Sequence, residues 1–98
     1  MLRITTEQKK GSTSFLLEGK LIGDWVGELE RCWISAKNTE PGQQVRIDLN
    51  EVDFVDEKGE NLLEQMASEG VELRADSLLM RFVISGVIER SKMEHASR

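Results

Sequence analysis

Polar and apolar residues alternate with a period of two at the start of the chain. Leu2 and Ile4 sit beside Arg3 and Thr5, and Thr13-Ser14-Phe15-Leu16-Leu17-Glu18-Gly19 follows a polar, Gly-containing stretch, Gln8 to Ser12. Two short strands around a glycine-bearing loop read as a hairpin. The period then lengthens. Trp25, Val26, Leu29, Cys32, Trp33 and Ala36 recur at spacings of three and four, with Glu28, Glu30, Arg31 and Lys37 between them. That is an amphipathic helix, with Asp24 as its expected N-cap and Pro41-Gly42 closing it. Val45-Arg46-Ile47-Asp48-Leu49 alternates strictly and predicts a strand.

Asn50 to Glu57 reads as a link into a second helix, from Lys58 to about Glu69. Its apolar face is Leu62, Leu63, Met66 and Ala67, and Gly70 stands where a left-handed cap is wanted. Val71 to Ala75 alternates again. Asp76 or Ser77 is expected to cap a third helix, with Leu78, Leu79, Phe82 and Val83 as its buried stripe and its end near Gly86. Residues 89–98 are polar and read as a frayed or weakly helical tail, leaving residues 1–88 as the domain.

The order strand, strand, helix, strand, helix, strand, helix implies an α/β fold. Strand-helix-strand units with short loops need parallel neighbours, and the opening hairpin adds antiparallel pairing. The expectation is one four-stranded mixed sheet with three or more helices mainly on one face, because the strand at 45–49 is apolar on one side only.

Composition narrows the function. At 98 residues there is room for one core, and 39% apolar with 32% charged residues describes a soluble globular domain. No apolar run approaches the ~20 residues that span a bilayer, and no signal-type segment opens the chain, so direct membrane insertion is not expected. The net charge of −5 argues against nucleic acid as a partner. Lone Cys32 excludes an internal disulfide and fits the cytoplasm. With lone His95 it also leaves no ordinary zinc site or Cys/His catalytic pair. There is no glycine-rich phosphate loop and no nucleophile-base pair, so an enzyme is not expected and no cofactor is called for. The charge is uneven. From Asp48 to Glu69 there are eight acids and one base, Lys58, so this window carries −7 and the remainder +2. Such a stretch is either a docking face for a basic partner or a solvated helix surface.

The element order, together with Ile47-Asp48-Leu49-Asn50-Glu51-Val52-Asp53-Phe54-Val55-Asp56-Glu57-Lys58-Gly59, resembles the STAS domain, the fold of bacterial anti-sigma factor antagonists. That family's hallmark is a buried strand leading to Asp-Ser-Ser/Thr-Gly at a helix start. Here it stands as Asp56-Glu57-Lys58-Gly59. Leu16-Leu17-Glu18-Gly19-Lys20-Leu21, Gly70-Val71-Glu72-Leu73 and Ser85-Gly86-Val87 match further family positions, over roughly Leu2 to Ile88. The resemblance implies a regulatory protein-interaction module contacting its partner through Asp56, Glu57, Lys58, Gly59 and Glu60. Its implied partners are anti-sigma factors with kinase-like folds. The alternative is a soluble accessory subunit docking on the ATPase of a lipid or anion transporter.

The family's acceptor serine is replaced by Glu57 and the residue after it by Lys58, so no phospho-acceptor hydroxyl stands there. Glu57 reads either as a fixed partial mimic of phosphoserine, which would carry about −1.5 to −2, or as an ordinary acid in a first helical turn. Gly59 reads as a packing glycine or as a point of close approach for a partner. Asp53, Asp56, Glu57 and Glu60 match no calcium-loop template, and no metal is expected. Trp25 and Trp33 share a broad helix face, and exposure of either would mark an interface. Pairing of two copies through an open strand edge is left open, as is a ligand pocket on the less covered sheet face.

Overall fold

The sheet assembles because each strand keeps one apolar side. In β1 (Leu2–Lys9), β2 (Ser12–Leu21) and β3 (Gln44–Val55), buried Leu2, Phe15, Leu17, Val45, Ile47 and Leu49 alternate with more exposed neighbours. The remaining elements are α1 (Asp24–Thr39), α2 (Glu57–Ser68), β4 (Glu72–Arg74) and α3 (Leu78–Ala96), giving the expected β-β-α-β-α-β-α order. This computed structural model describes residues 1–96, with side-chain surroundings for residues 1–92.

The strands lie in the order β1-β2-β3-β4. β1 and β2 are antiparallel across the Lys10-Gly11 turn, whereas β2, β3 and β4 run parallel. The three parallel strands therefore end at one edge of the molecule, and each leads from that edge into a helix. Leu29 and Trp33 of α1, Leu63 and Met66 of α2, and Met80 and Val87 of α3 join one buried cluster with the inner strand residues. All three helices thus cover the same face. The other face carries the cross-strand ion pairs Arg3–Glu18 (3.6 Å) and Arg46–Glu72 (2.7 Å). Where it dips, it is lined by Arg3, Thr5, Glu18, Asp48 and Glu51 beside Leu16.

Four expectations are corrected. β3 continues through Asn50 to Val55, so most of the expected link is strand; register shifts against β2 between Leu16 and Glu18 and between Gly19 and Lys20 accommodate it. Asp24 does not cap α1. Gly23 occupies that position at φ +55°, a left-handed backbone that favours glycine, and Asp24 falls in the first turn. α3 does not end near Gly86 but runs to Ala96, so much of the expected tail is helix; Ser97 and Arg98 lie outside the described residues.

The fourth correction is the phase of α3. Leu78, Leu79 and Phe82 are 84%, 59% and 78% exposed, and the buried side is Met80, Ile84, Val87 and Ser91, with Val83 and Ile88 partly buried. Both sets have helical spacing. The stripe on Leu78 stops after two turns, whereas the stripe on Met80 continues over three, so packing the longer one buries more apolar area.

Candidate functional site

The sequence pointed to the start of α2, and the structure shows how that corner is made. Leu21 ends β2 and Val55 ends β3, side by side, and the Asp56 N–H donates to the Leu21 carbonyl at 3.2 Å. The Asp56 carboxylate then divides its oxygens. Oδ1 accepts from the Gly59 N–H at 2.8 Å, capping α2, and Oδ2 accepts from the Gly23 N–H at 2.9 Å, at the cap of α1. One side chain fastens two helix starts together. These two N–H donors, Gly23 first and Gly59 second, hold the Asp56 carboxyl below the usual carboxylate range, because both stabilise only the ionised form.

Gly59 is buried. A Cβ there would meet the Leu21 carbonyl oxygen and Val55 Cγ1, both at 2.7 Å, so the residue is a packing glycine where α2 presses on the ends of β2 and β3. Glu60 is half-buried and accepts from Arg90 Nη2 at 2.8 Å, while Arg90 Nε reaches Glu64 at 3.2 Å, tying α2 to α3. Of the five residues expected at the contact, Asp56 and Gly59 are thus committed inside the protein and Glu60 is paired. Glu57 and Lys58 are exposed. No hydroxyl stands at the helix start. Asp53 pairs with Lys20 of the neighbouring strand at 3.3 Å. Among the described residues, no three His, Cys, Asp or Glu side chains gather as metal ligands.

The sequence reading missed the apolar surface at this end of the molecule. α3 starts at the same edge as α2: the Asp76 N–H donates to the Asn50 side chain of β3, and Ser77 Oγ accepts from the Met80 N–H at 3.3 Å. Leu78, Leu79 and Phe82 stand out from this start, and Phe54 at the end of β3 is 52% exposed. Trp33 is buried, but Trp25 in the first turn of α1 is 38% exposed. The signal available in the sequence was the second apolar phase within residues 78–91, since a helix apolar on two sides leaves one unpaired. No described helix is long and apolar enough to cross a membrane.

No family model and no curated protein matches the chain. Solved structures do. A Shewanella loihica protein, described as an uncharacterised member of the DUF3478 family with a SpoIIAA-like fold, superposes with a TM-score of 0.58 at 17% identity. The match covers 83% of this chain and 71% of that one. A structure described as Mglu superposes with a TM-score of 0.57 at 16% identity, covering 74% of this chain; the chain spans about a fifth of its length, 19%. The fold is therefore SpoIIAA-like, a STAS-like mixed sheet with helices on one face.

Proposed function

We propose that the chain is a non-enzymatic, STAS-like interaction module that holds a protein partner at the edge where α1, α2 and α3 begin. The observation that supports this reading is the pairing of charge and exposed apolar surface there. Glu57 and Lys58 are exposed at the start of α2, and Leu78, Leu79 and Phe82 are exposed in the first turns of α3, the helices that follow the C-terminal ends of β3 and β4. Large side chains exposed together in this way mark contact surfaces. The acidic stretch from Asp48 to Glu69 favours a partner that rings an apolar centre with lysine or arginine. Because Glu57 occupies the acceptor position, binding is constitutive with respect to phosphorylation at this corner, and control rests with the partner.

Capture of partners from the native host, followed by titration of the purified partner against Glu57→Lys and Phe82→Ser variants, tests the reading. A stoichiometric protein partner whose affinity falls about tenfold or more in each variant supports it, that loss being about 1.4 kcal/mol. The captured protein's own chemistry separates a transcriptional regulator from a transporter ATPase. Phosphate incorporated within residues 53–60, turnover of any substrate, or binding indifferent to both substitutions rules the proposal out.

A further inference from the structure

A second surface, at the opposite side of the sheet, has a partner written into its own sequence. Among the described residues β1 pairs only with β2, so one long edge of this eight-residue strand is open. Its backbone direction follows from two bonds of the antiparallel pair. The Lys20 N–H donates to the Met1 carbonyl at 3.1 Å, and Lys9 closes the hairpin opposite Ser12. Odd-numbered residues of β1 therefore turn their N–H and C=O groups toward β2. Leu2, Ile4, Thr6 and Gln8 turn theirs outward, because successive residues alternate. Side chains alternate too. Leu2 is buried and Ile4 half-buried on the helix side, while Arg3, Thr5 and Glu7 stand exposed on the charged face.

We infer that β1 pairs with β1 of a second copy, antiparallel and centred on Thr5, so that two four-stranded sheets become one of eight strands. Two constraints select this register. The outward-bonding residues must oppose one another, and centring on Thr5 sets Ile4 against the partner's Thr6 and Leu2 against the partner's Gln8. The charges must match: Arg3 faces the partner's Glu7, and Glu7 the partner's Arg3, giving two ion pairs. These fall at non-hydrogen-bonded positions, where opposed Cα atoms approach to about 4.5 Å and side chains lie closest. This register pairs every residue from Leu2 to Gln8. A shift of two residues one way sets Arg3 against Lys9; the other way it sets Arg3 against Thr5 and removes the ion pairs.

The surroundings accept this neighbour. Between α1 and the hairpin runs a groove of about 470 Å³, lined by Thr6, Phe15, Cys32 and Ala36 among others. In the paired sheet the partner's Ile4 lies directly opposite Thr6 on that same face, at the mouth of the groove, and gains apolar cover. Pairing two copies through one self-complementary strand is an isologous, closed contact, so it ends at a dimer.

Sedimentation over a range of concentrations tests the dimer, and substitutions in β1 test the register. Thr6→Pro removes an N–H that points away from β2, a change an edge strand tolerates. It should leave the circular dichroism of the fold intact and abolish the dimer. Glu7→Arg should weaken association about tenfold or more by setting like charges opposite each other, a loss that raised salt should reduce. In a Cys32→Ser background, Thr5→Cys should oxidise to a cross-linked dimer faster than Glu7→Cys, since only position 5 meets itself across the axis. A chain that stays monomeric at every accessible concentration, or a dimer untouched by Thr6→Pro and by charge reversal, overturns the inference.

Discussion

The beginnings of α2 and α3 leave the same edge of one sheet and are built on different terms. At α2 the polar groups are tied down: Asp56 satisfies the Gly59 and Gly23 N–H groups, and Gly59 lets the helix touch strand backbone. At α3, Ser77 and Asn50 hold the backbone, no acid stands in the first turn, and large apolar side chains face outward. The difference teaches where rigidity and recognition lie. The start of α2 fixes the geometry of the edge, and the start of α3 supplies surface that folding does not use.

The sharpest way to break this comparison is within α3 itself. Met80 is 1% exposed and Phe82, two residues on, is 78% exposed. Met80→Ala should cost about 3 kcal/mol in urea unfolding, the usual loss for a buried methionine, and Phe82→Ala should leave stability within about 0.5 kcal/mol. Reversed costs would mean that the helix packs in its other phase.

Next in size is the contrast between two helical glycines. A methyl group at Gly59 would meet the Leu21 carbonyl, and one at Gly86 would meet only the tip of Arg90 at 3.5 Å. Gly59→Ala should destabilise by about 2 kcal/mol through overpacking. Gly86→Ala should stabilise by up to about 1 kcal/mol, the propensity gain of alanine in a helix. Thermal unfolding of the two variants reads opposite signs.

Asp56 gives a smaller effect with a pH signature. Asp56→Ala removes a cap and should cost about 1–2 kcal/mol at neutral pH. Since the folded carboxyl titrates below its unfolded value of about 4, its contribution is complete above that pH and is lost as pH falls through the folded value. The gap between the wild-type chain and Asp56→Ala should therefore narrow under acid, and a gap constant down to the most acidic conditions that keep the fold would assign the effect elsewhere.

Much of this edge was readable in advance, and the unread part has two causes. The β-β-α-β-α-β-α order followed from two clean periodicities, and Asp56 followed from its match to the aspartate of the family's motif at a helix start. Ser77 was one of two caps expected for α3, and it accepts the Met80 N–H. What failed was phase where apolar residues are crowded. From Leu78 to Ile88 only Arg81, Ser85 and Gly86 interrupt the apolar run, so spacing alone supported two buried faces, and only contact with α2 and β3 chose between them. The cap of α1 failed for a different reason. Asp24 has the right chemistry, but the Trp25 and Val26 N–H groups donate to the Ile22 and Gly23 carbonyls, so the helix starts one residue early and Gly23, at positive φ, takes the cap position.

The smallest expected effect on stability is the most telling for recognition. Leu79→Ser and Phe82→Ser replace side chains that are mostly in water, so their equilibrium cost should stay within about 0.5 kcal/mol, as for Phe82→Ala. Solubility should rise, because less apolar surface is presented to other molecules. If this side of α3 were only the unused half of an over-apolar helix, partner affinity would be as insensitive as stability. A contact surface behaves otherwise: its few large central side chains carry much of the binding energy. Calorimetric titration of the double variant against its partner, beside a stability curve for the same protein, separates the two cases. Unchanged unfolding with an affinity loss of tenfold or more places recognition on α3, with α2 as its fixed support.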